Sequence, residues 1–163
     1  MACHKQSYIK DFDIVSEIKP GGTFLLNTTW KGAELEEHLP NKVKRTIAER
    51  GIKFDTIDAT EIAAELGLGN RTNTVLQSAF FNLSGVLPAA DAIEYMKAAI
   101  IKRYSKKGQK VVDMNCSAVD RGATAAVAID VPASWKDLKD EVKVVDESLP
   151  YYIREIQIPL NNQ

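Results

Sequence analysis

The sequence predicts an α/β fold in which a mostly parallel sheet lies between layers of helices. A compact apolar run at residues 23–26 ends at Asn27, which is typical of a strand buried on both faces of a parallel sheet. Helical and strand patterns then alternate, with glycines at their junctions. From about residue 67 to residue 121 the pattern is helical throughout, and it predicts a helical segment added to that core.

The first elements are placed by chain breakers and caps. Residues 13–18 predict a short amphipathic helix that Pro20 and the glycines after it bring to an end. Residues 23–26 then form the first strand of this chain. Asn41 is placed to cap a helix over residues 42–50.

The next elements complete a repeating unit. Gly51 suits the left-handed cap at the end of that helix. Apolar and polar residues alternate over residues 52–58, which predicts a second strand. Thr60 lies near the start of a further helix, which Gly67 ends. Strand, helix, strand and helix in this order predict a right-handed βαβ unit. The fold expected is therefore a three-layer, Rossmann-like sheet.

The remainder of the chain predicts three helices, a strand and a tail. The helices are expected over residues 71–84, 91–107 and 109–121, the third ending at Gly122, and the strand over residues 126–131. Beyond Pro132 the sequence loses its apolar density. We therefore expect one α/β domain over residues 1–135, and a linker or tail towards a further domain over residues 136–163.

Composition excludes several classes of function. The 163 residues carry a formal net charge of -1, which provides no positive field for nucleic acid. Two cysteines and two histidines without ligand spacing predict no metal site or iron–sulfur cluster in this chain, and reduced thiols in the cytoplasm. The hydropathy pattern also predicts neither an apolar leader sequence nor a membrane-spanning helix. GxGxxG, GxxxxGK[ST] and GxSxG do not occur, which disfavours a self-sufficient NAD, ATP or hydrolase enzyme.

The segment from residue 67 to residue 83 is the strongest candidate for a binding site. Helical projection places Val75, Leu76, Ala79, Phe80 and Leu83 on one face and Asn70, Asn73, Gln77 and Ser84 on the other. We call Asn70, Asn73 and Gln77 the amide face. It is polar but uncharged, whereas a solvated helix face usually carries Lys and Glu. Arg71 in the Gly-Leu-Gly-Asn-Arg turn is available for phosphate.

Two interpretations of the amide face are open. Asn70, Arg71, Asn73 and Gln77 contact a phosphorylated, amide-bearing ligand or a neighbouring domain, or the glycines only punctuate helices and the amides are ordinary surface. Residues 28–32 follow the carboxyl end of the first strand, where open α/β sheets bind ligands, although Trp30 there also suits packing against a helix. His4 and His38 fit structural or exposed roles, because no nucleophile–base spacing surrounds them. Cys116 lies in an apolar helical pattern, which predicts a buried, inert thiol.

Phrases distributed along the chain resemble one family. They are ACHKQSY at residues 2–8, GGTFLLN at 21–27, WKG at 30–32, EHLP at 37–40, the segment 67–83, and VDRG at 119–122. Together they resemble the gamma-type domain, or domain III, of the pyruvate:ferredoxin (flavodoxin) oxidoreductases, over about residues 2–135. The resemblance also implies that a glycine-rich βα segment precedes this point in the family, so the chain is expected to be a fragment, truncated on its N-terminal side.

The resemblance implies a role within a larger enzyme. That enzyme oxidatively decarboxylates pyruvate with thiamine pyrophosphate, passes electrons through iron–sulfur clusters to ferredoxin or flavodoxin, and forms acetyl-coenzyme A. The thiamine pyrophosphate and the clusters lie outside this segment. Asn70, Arg71, Asn73 and Gln77 are expected to contact coenzyme A or another domain of the parent; an interaction-only module without a ligand is the alternative. The isolated fragment is expected to be inactive, and to self-associate through an unpaired edge of the strand at 23–27 or at 52–58.

Overall fold

The computed structural model describes residues 1–140 and confirms the α/β fold. Its sheet has four strands in the order β1-β2-β3-β4. The strands are β1 (Ala2–Cys3), β2 (Thr23–Asn27), β3 (Lys53–Ile57) and β4 (Val127–Ile129). Strands β1, β2 and β3 are parallel, and β4 runs antiparallel to β3. The carboxyl ends of the three parallel strands therefore lie at one edge of the sheet, which we call the carboxyl edge.

Helices cover both faces of this sheet. They are α1 (Tyr8–Asp11), α2 (Ala33–His38), α3 (Asn41–Glu49), α4 (Ala59–Glu65), α5 (Asn73–Ser84), α6 (Ala89–Tyr104) and α7 (Gln109–Ala125). Two 3₁₀ turns, Ser105–Lys107 and Ala133–Asp137, follow α6 and β4. The first three helices and the second turn share one core with Phe24 and Phe54, whereas α4, α5 and α7 share the other with Leu25 and Ile57. The three layers and the added helical segment are confirmed.

The apolar run that predicted a strand is buried on both faces. Phe24 is stacked on its neighbour Phe54, with ring centroids 5.6 Å apart, and both side chains are almost fully buried. Leu25 is equally buried on the opposite face of the sheet. Burying one such side chain contributes roughly 1.5–3 kcal/mol, so β2 stabilises both halves of the domain.

Four predicted features are wrong in detail. Residues 13–18 form turns instead of a helix: the Ile18 N–H donates to the Val15 carbonyl at 3.1 Å, three residues back, and Pro20 leaves too little chain for a further helical turn. The first strand of the chain is β1, ahead of β2. Gly122 lies within α7 instead of ending it, and Asn41 is the first residue of α3 instead of its cap.

The predicted unpaired strand edges are also wrong. Strand β2 pairs with β1 and β3, and β3 pairs with β2 and β4. Both strands are interior because the short segments at residues 2–3 and 127–129 join the sheet, and neither segment is long enough to signal its pairing in the sequence. Any self-association must use another surface.

Residues after Pro132 continue to contact the domain as far as residue 140. The Trp135 side chain is buried and its Nε1 donates to the Glu36 carboxylate at 3.1 Å. Arg45 of α3 donates to the Leu138 carbonyl at 2.9 Å and pairs with Asp140 at 2.7 Å. The predicted tail lies mostly outside the described residues, and the boundary at residue 135 stays a prediction. Among residues 1–140, no helix has the length and apolarity needed to cross a bilayer.

Candidate functional site

A polar cleft lies at the carboxyl edge of the sheet. Its volume is about 520 Å³, within the range of small-molecule sites. Segments that follow β1, β2 and β3 contribute to it, together with the turn that precedes α5. The lining residues are His4, Lys5, Gln6, Ser7, Asn27, Thr28, Thr29, Thr60, Asn70 and Thr72. This is the position at which open α/β sheets bind ligands.

Asn27 fixes the floor of the cleft by joining three strand ends. Its Nδ2 donates to the His4 carbonyl at 3.0 Å, and its Oδ1 accepts from the Ala59 N–H at 2.9 Å. The side chain is buried at the end of β2, so both bonds replace contacts with water that the fold has removed. The segments after β1 and β3 are thereby held at a fixed separation across β2.

A second set of hydrogen bonds orders the loop after β2. The Gln6 Oε1 accepts from the Thr28 hydroxyl at 2.7 Å and from the Thr29 N–H at 3.1 Å. The Thr28 Oγ1 in turn accepts from the Trp30 N–H at 3.1 Å. Trp30 is buried with its ring 4.7 Å from that of His38 in α2. The packing interpretation of Trp30 is therefore confirmed, while Thr28 and Thr29 line the cleft.

The lining residues all carry hydrogen-bonding side chains, and most of these are uncharged. Hydroxyls come from Ser7 and the threonines, and amides from Gln6, Asn27 and Asn70, whereas Lys5 contributes a positive charge. Such a surface can donate to and accept from amides and hydroxyls, and it can hold one anionic group near Lys5. Lys31 and Glu61 form an exposed ion pair at 3.7 Å, which water screens strongly.

The predicted site residues divide into two groups. Asn70 lines the cleft, and so does Thr72, which the sequence analysis did not single out. Arg71, Asn73 and Gln77 are exposed and stand outside the set that lines the cleft. This division follows from the turn that precedes α5, in which Gly69 adopts a positive φ of 58° and the Thr72 N–H donates to the Asn70 carbonyl at 3.1 Å. Because α5 begins only at residue 73, Asn70 belongs to the turn and Asn73 and Gln77 belong to the helix.

Two residues of the amide face lie on α5 and are exposed, and a residue that was expected to face the core is exposed beside them. Asn73 and Gln77 lie at the surface, and Val75, Leu76 and Ala79 are buried. Phe80, predicted to face the core, is 37% exposed. Gly122 of α7 allows the close approach of the two helices, because an added Cβ would lie 2.4 Å from the Val75 carbonyl oxygen.

His4 and Gln6 line the cleft, although the sequence did not indicate them as site residues. They follow β1, which at two residues is too short to show a strand pattern, so their place at the carboxyl edge had no local signal. Burial raises the pKa of the Cys3 thiol, which donates to the Lys5 carbonyl at 3.1 Å. A protonated thiol is a poor nucleophile, and Cys3 is buried in the core that contains Phe24. Within residues 1–140, no cluster of three His, Cys, Asp or Glu side chains is suited to a metal ion.

The fold and the cleft define this chain as an α/β domain of the kind that binds ligands at the carboxyl edge of its sheet. Residues 1–125 match the family model described as pyruvate ferredoxin/flavodoxin oxidoreductase. The chain belongs to this family. The structure is similar to that of the pyruvate oxidoreductase subunit PORC from Thermotoga maritima, with a TM-score of 0.61 over 79% of this chain and 64% of that one. At 21% identity, this likeness supports the fold alone.

Curated relatives show that the match extends over the chain. It is 45% identical to the pyruvate:ferredoxin oxidoreductase of Moorella thermoacetica over 99% of its length, and 48% identical to the pyruvate-flavodoxin oxidoreductase of Enterobacter agglomerans over all of it. It is also 39% identical to the mitochondrial pyruvate dehydrogenase [NADP(+)] of Euglena gracilis over 86%. The chain spans 14% of the length of the first two relatives and 8% of the third.

Proposed function

We propose that this chain is the coenzyme A-contacting domain of a pyruvate:ferredoxin or pyruvate:flavodoxin oxidoreductase of the cytoplasm. The longer enzyme oxidatively decarboxylates pyruvate and reduces ferredoxin or flavodoxin, and its thiamine pyrophosphate and iron–sulfur clusters lie in other domains. The observation that carries the proposal is the position of Asn70, which lines the polar cleft at the carboxyl edge. The domain binds and positions a substrate and leaves the bond-making steps to other domains.

The chemistry of coenzyme A fits the residues of the cleft. Its pantetheine arm presents two amides and a hydroxyl, which match the donors and acceptors of Gln6, Asn70 and Thr72. Its phosphates require cations, which Lys5 in the cleft and the exposed Arg71 beside it provide. Asn73 and Gln77 extend this polar surface along α5, where a part of the ligand that projects beyond the cleft would lie.

Titration of coenzyme A into the 163-residue chain tests the proposal. We expect heat of binding by calorimetry, and binding about fivefold weaker in Asn70→Ala, because a typical hydrogen bond contributes about 1 kcal/mol. Asn82→Ala is the matched control, since Asn82 is another exposed amide near the opposite end of α5. A folded chain that binds no coenzyme A, or binds it equally with and without the Asn70 amide, contradicts the proposal.

A second function is favoured by the exposure of Asn73 and Gln77 outside the cleft. In this interaction-only alternative, the amide face bonds to another domain of the parent and no ligand is held. Asn73→Ala in the longer enzyme separates the two functions. A raised KM for coenzyme A supports ligand contact, whereas an unchanged KM with a lower Tm supports packing between domains.

A further inference from the structure

An uncharged stretch of the chain ends in exposed apolar side chains. No charged residue lies between Arg71 and Asp91, although 26% of the chain is charged. Burial of the first turns of α5 accounts for the first part of this stretch. It does not account for the second part, because Phe80 is 37% exposed, Val86 is 71% exposed and Leu87 is 39% exposed. The end of α5 and the loop to α6 therefore reach the surface without the charges that solvated segments usually carry.

The loop that joins α5 to α6 holds these side chains outward. Gly85 ends α5 with a left-handed φ of 61°, and Pro88, with its restricted backbone, precedes α6. An apolar residue that follows such a glycine commonly packs on the last turn of the helix, whereas Val86 is exposed. Phe80 and Phe81 meet edge to face, with ring centroids 5.8 Å apart. We call the following residues the apolar surface: Phe80, Phe81, Val86, Leu87 and Pro88.

The length of the relatives indicates what covers the apolar surface. The chain matches two curated relatives over 99% and 100% of its own length, and it spans only 14% of each of them. Proteins of this family therefore contain much further polypeptide that can pack against this domain. We propose that the apolar surface docks on an uncharged, apolar surface of another domain of the same, longer polypeptide. The inference rests on the part of the proposed function that makes this chain one domain of a longer enzyme.

The chemistry of the apolar surface favours an attached partner over a diffusing one. Proteins that meet by diffusion are commonly steered by complementary charges, and the five residues of this surface carry none. A tethered domain is present at a high effective concentration, so the burial of apolar side chains is enough to hold it. Asp91 and Glu94 are exposed and come next along the chain, in α6. They suit the polar rim that surrounds the apolar centre of an interface.

The apolar surface is separate from the cleft. None of its residues lines the cleft, which Asn70 and Thr72 reach just before α5 begins. Val86 and Leu87 follow the other end of this helix, which has 12 residues and is therefore about 18 Å long. Coenzyme A and a second domain can thus be held at the same time. A failure of docking leaves the proposal for coenzyme A intact, and a failure of coenzyme A binding leaves the docking proposal intact.

Hydroxyl-radical footprinting of the native side chains tests the docking proposal. Exposed side chains are oxidised, and mass spectrometry locates and counts the products in the 163-residue chain and in the longer enzyme. Phe80 and Leu87 are expected to react at least about fivefold more slowly in the longer enzyme, because the centre of an interface excludes water. Tyr95, which is 66% exposed in α6 and outside the apolar surface, is the reference and is expected to react equally in both. Equal rates for Phe80 and Leu87, or the same slowing of Tyr95, overturn the proposal.

Val86→Asp, made in both proteins, is the decisive variant. In the 163-residue chain the new carboxylate stays in water, so Tm is expected to change by less than about 2 °C. In the longer enzyme the carboxylate would be buried without a partner, so the transition that unfolds this domain is expected to fall by more than about 4 °C. Ile101→Asp is the matched control, because Ile101 is 52% exposed in α6, and its effect is expected to be equally small in both proteins. A Val86→Asp effect of the same size in both proteins overturns the proposal.

Two further results separate this proposal from its alternatives. If Phe80 and Leu87 react more slowly as the concentration of the 163-residue chain rises, a second copy covers the apolar surface and the proposal is overturned. Coenzyme A binding by the Val86→Asp chain is expected to equal that of the native chain, since Val86 does not line the cleft. Weaker binding would mean that the surface belongs to the ligand site, which also overturns docking as its role.

Discussion

Replacing Gly122 by alanine tests the contact between α5 and α7. An alanine Cβ at this position would lie 2.4 Å from the Val75 carbonyl oxygen, 3.0 Å from the Val75 Cα and 3.0 Å from the Ser78 Cβ. Ordinary contacts at such a Cβ begin at 3.4 Å, so α5 must move away from α7 by about 1 Å. That movement would also stretch the 2.6 Å bond from the Ser78 hydroxyl to the Val119 carbonyl.

The expected sign is the reverse of that for an ordinary helical glycine. On a solvated helix, glycine to alanine stabilises by about 1 kcal/mol. Overpacking of a close contact costs about 1–3 kcal/mol. We expect Gly122→Ala to lower the free energy of unfolding by about 1 kcal/mol net, which corresponds to a Tm lower by roughly 2–4 °C for a domain of this size.

Thermal melts by circular dichroism, with Thr124→Ala as control, measure this effect. Thr124 is exposed on the same helix, and its replacement by alanine is expected to leave Tm nearly unchanged or slightly raised. A Gly122→Ala variant as stable as the native chain, or more stable, would show that the two helices do not approach each other as described. Because α5 starts beside the cleft, the same variant is expected to bind coenzyme A more weakly.

Three other changes probe the cleft and the core. Asn27→Ala removes both bonds that join the strand ends and is expected to cost about 1–3 kcal/mol in urea unfolding, whereas a loss below 0.5 kcal/mol or so would contradict the clamp. Trp135→Ala is expected to cost about 3–5 kcal/mol in the same assay, whereas a neutral result would mean that the turn after Pro132 does not pack on α3. Burial raises the pKa of Asp55, against the opposing charge of Lys53, so its ionisation disfavours the fold. Asp55→Asn should therefore stabilise the domain at pH 7, and the advantage should fade as the pH falls towards the ordinary Asp value of 3.8; an advantage independent of pH would refute this.

The long patterned elements were predictable, because their signals are local. Strand β2 follows from a compact apolar run, and the left-handed Gly51, with φ of 59°, follows from the end of a helical pattern. Strand β1 was missed because two residues carry no period. Strand β4 was predicted over residues 126–131 and lies at Val127–Ile129, but its antiparallel pairing with β3 had no local signal. Gly122 was misread because an isolated glycine marks either a helix end or a close contact, and only the partner helix decides which.

The candidate site was predictable only in part for a related reason. Asn70 could be identified from an unusual run of amides, and Thr28 from its place after a strand. His4 and Gln6 reach the same cleft through the parallel pairing of β1 with β2, a contact between residues more than twenty positions apart. Phe80 lies between the apolar face and the amide face of the helical projection, so packing with α7 decides whether its side chain is buried.

The most direct test of the proposed function is to map the binding of coenzyme A by NMR. Amide chemical shifts of the 163-residue chain are followed as coenzyme A is added. The largest changes are expected at the carboxyl edge, at His4–Ser7, Asn27–Thr29, Thr60 and Asn70–Thr72, with smaller changes at Asn73 and Gln77. Shifts confined to Asn73 and Gln77, or no shifts at saturating ligand, would contradict the assignment of this cleft as the coenzyme A site.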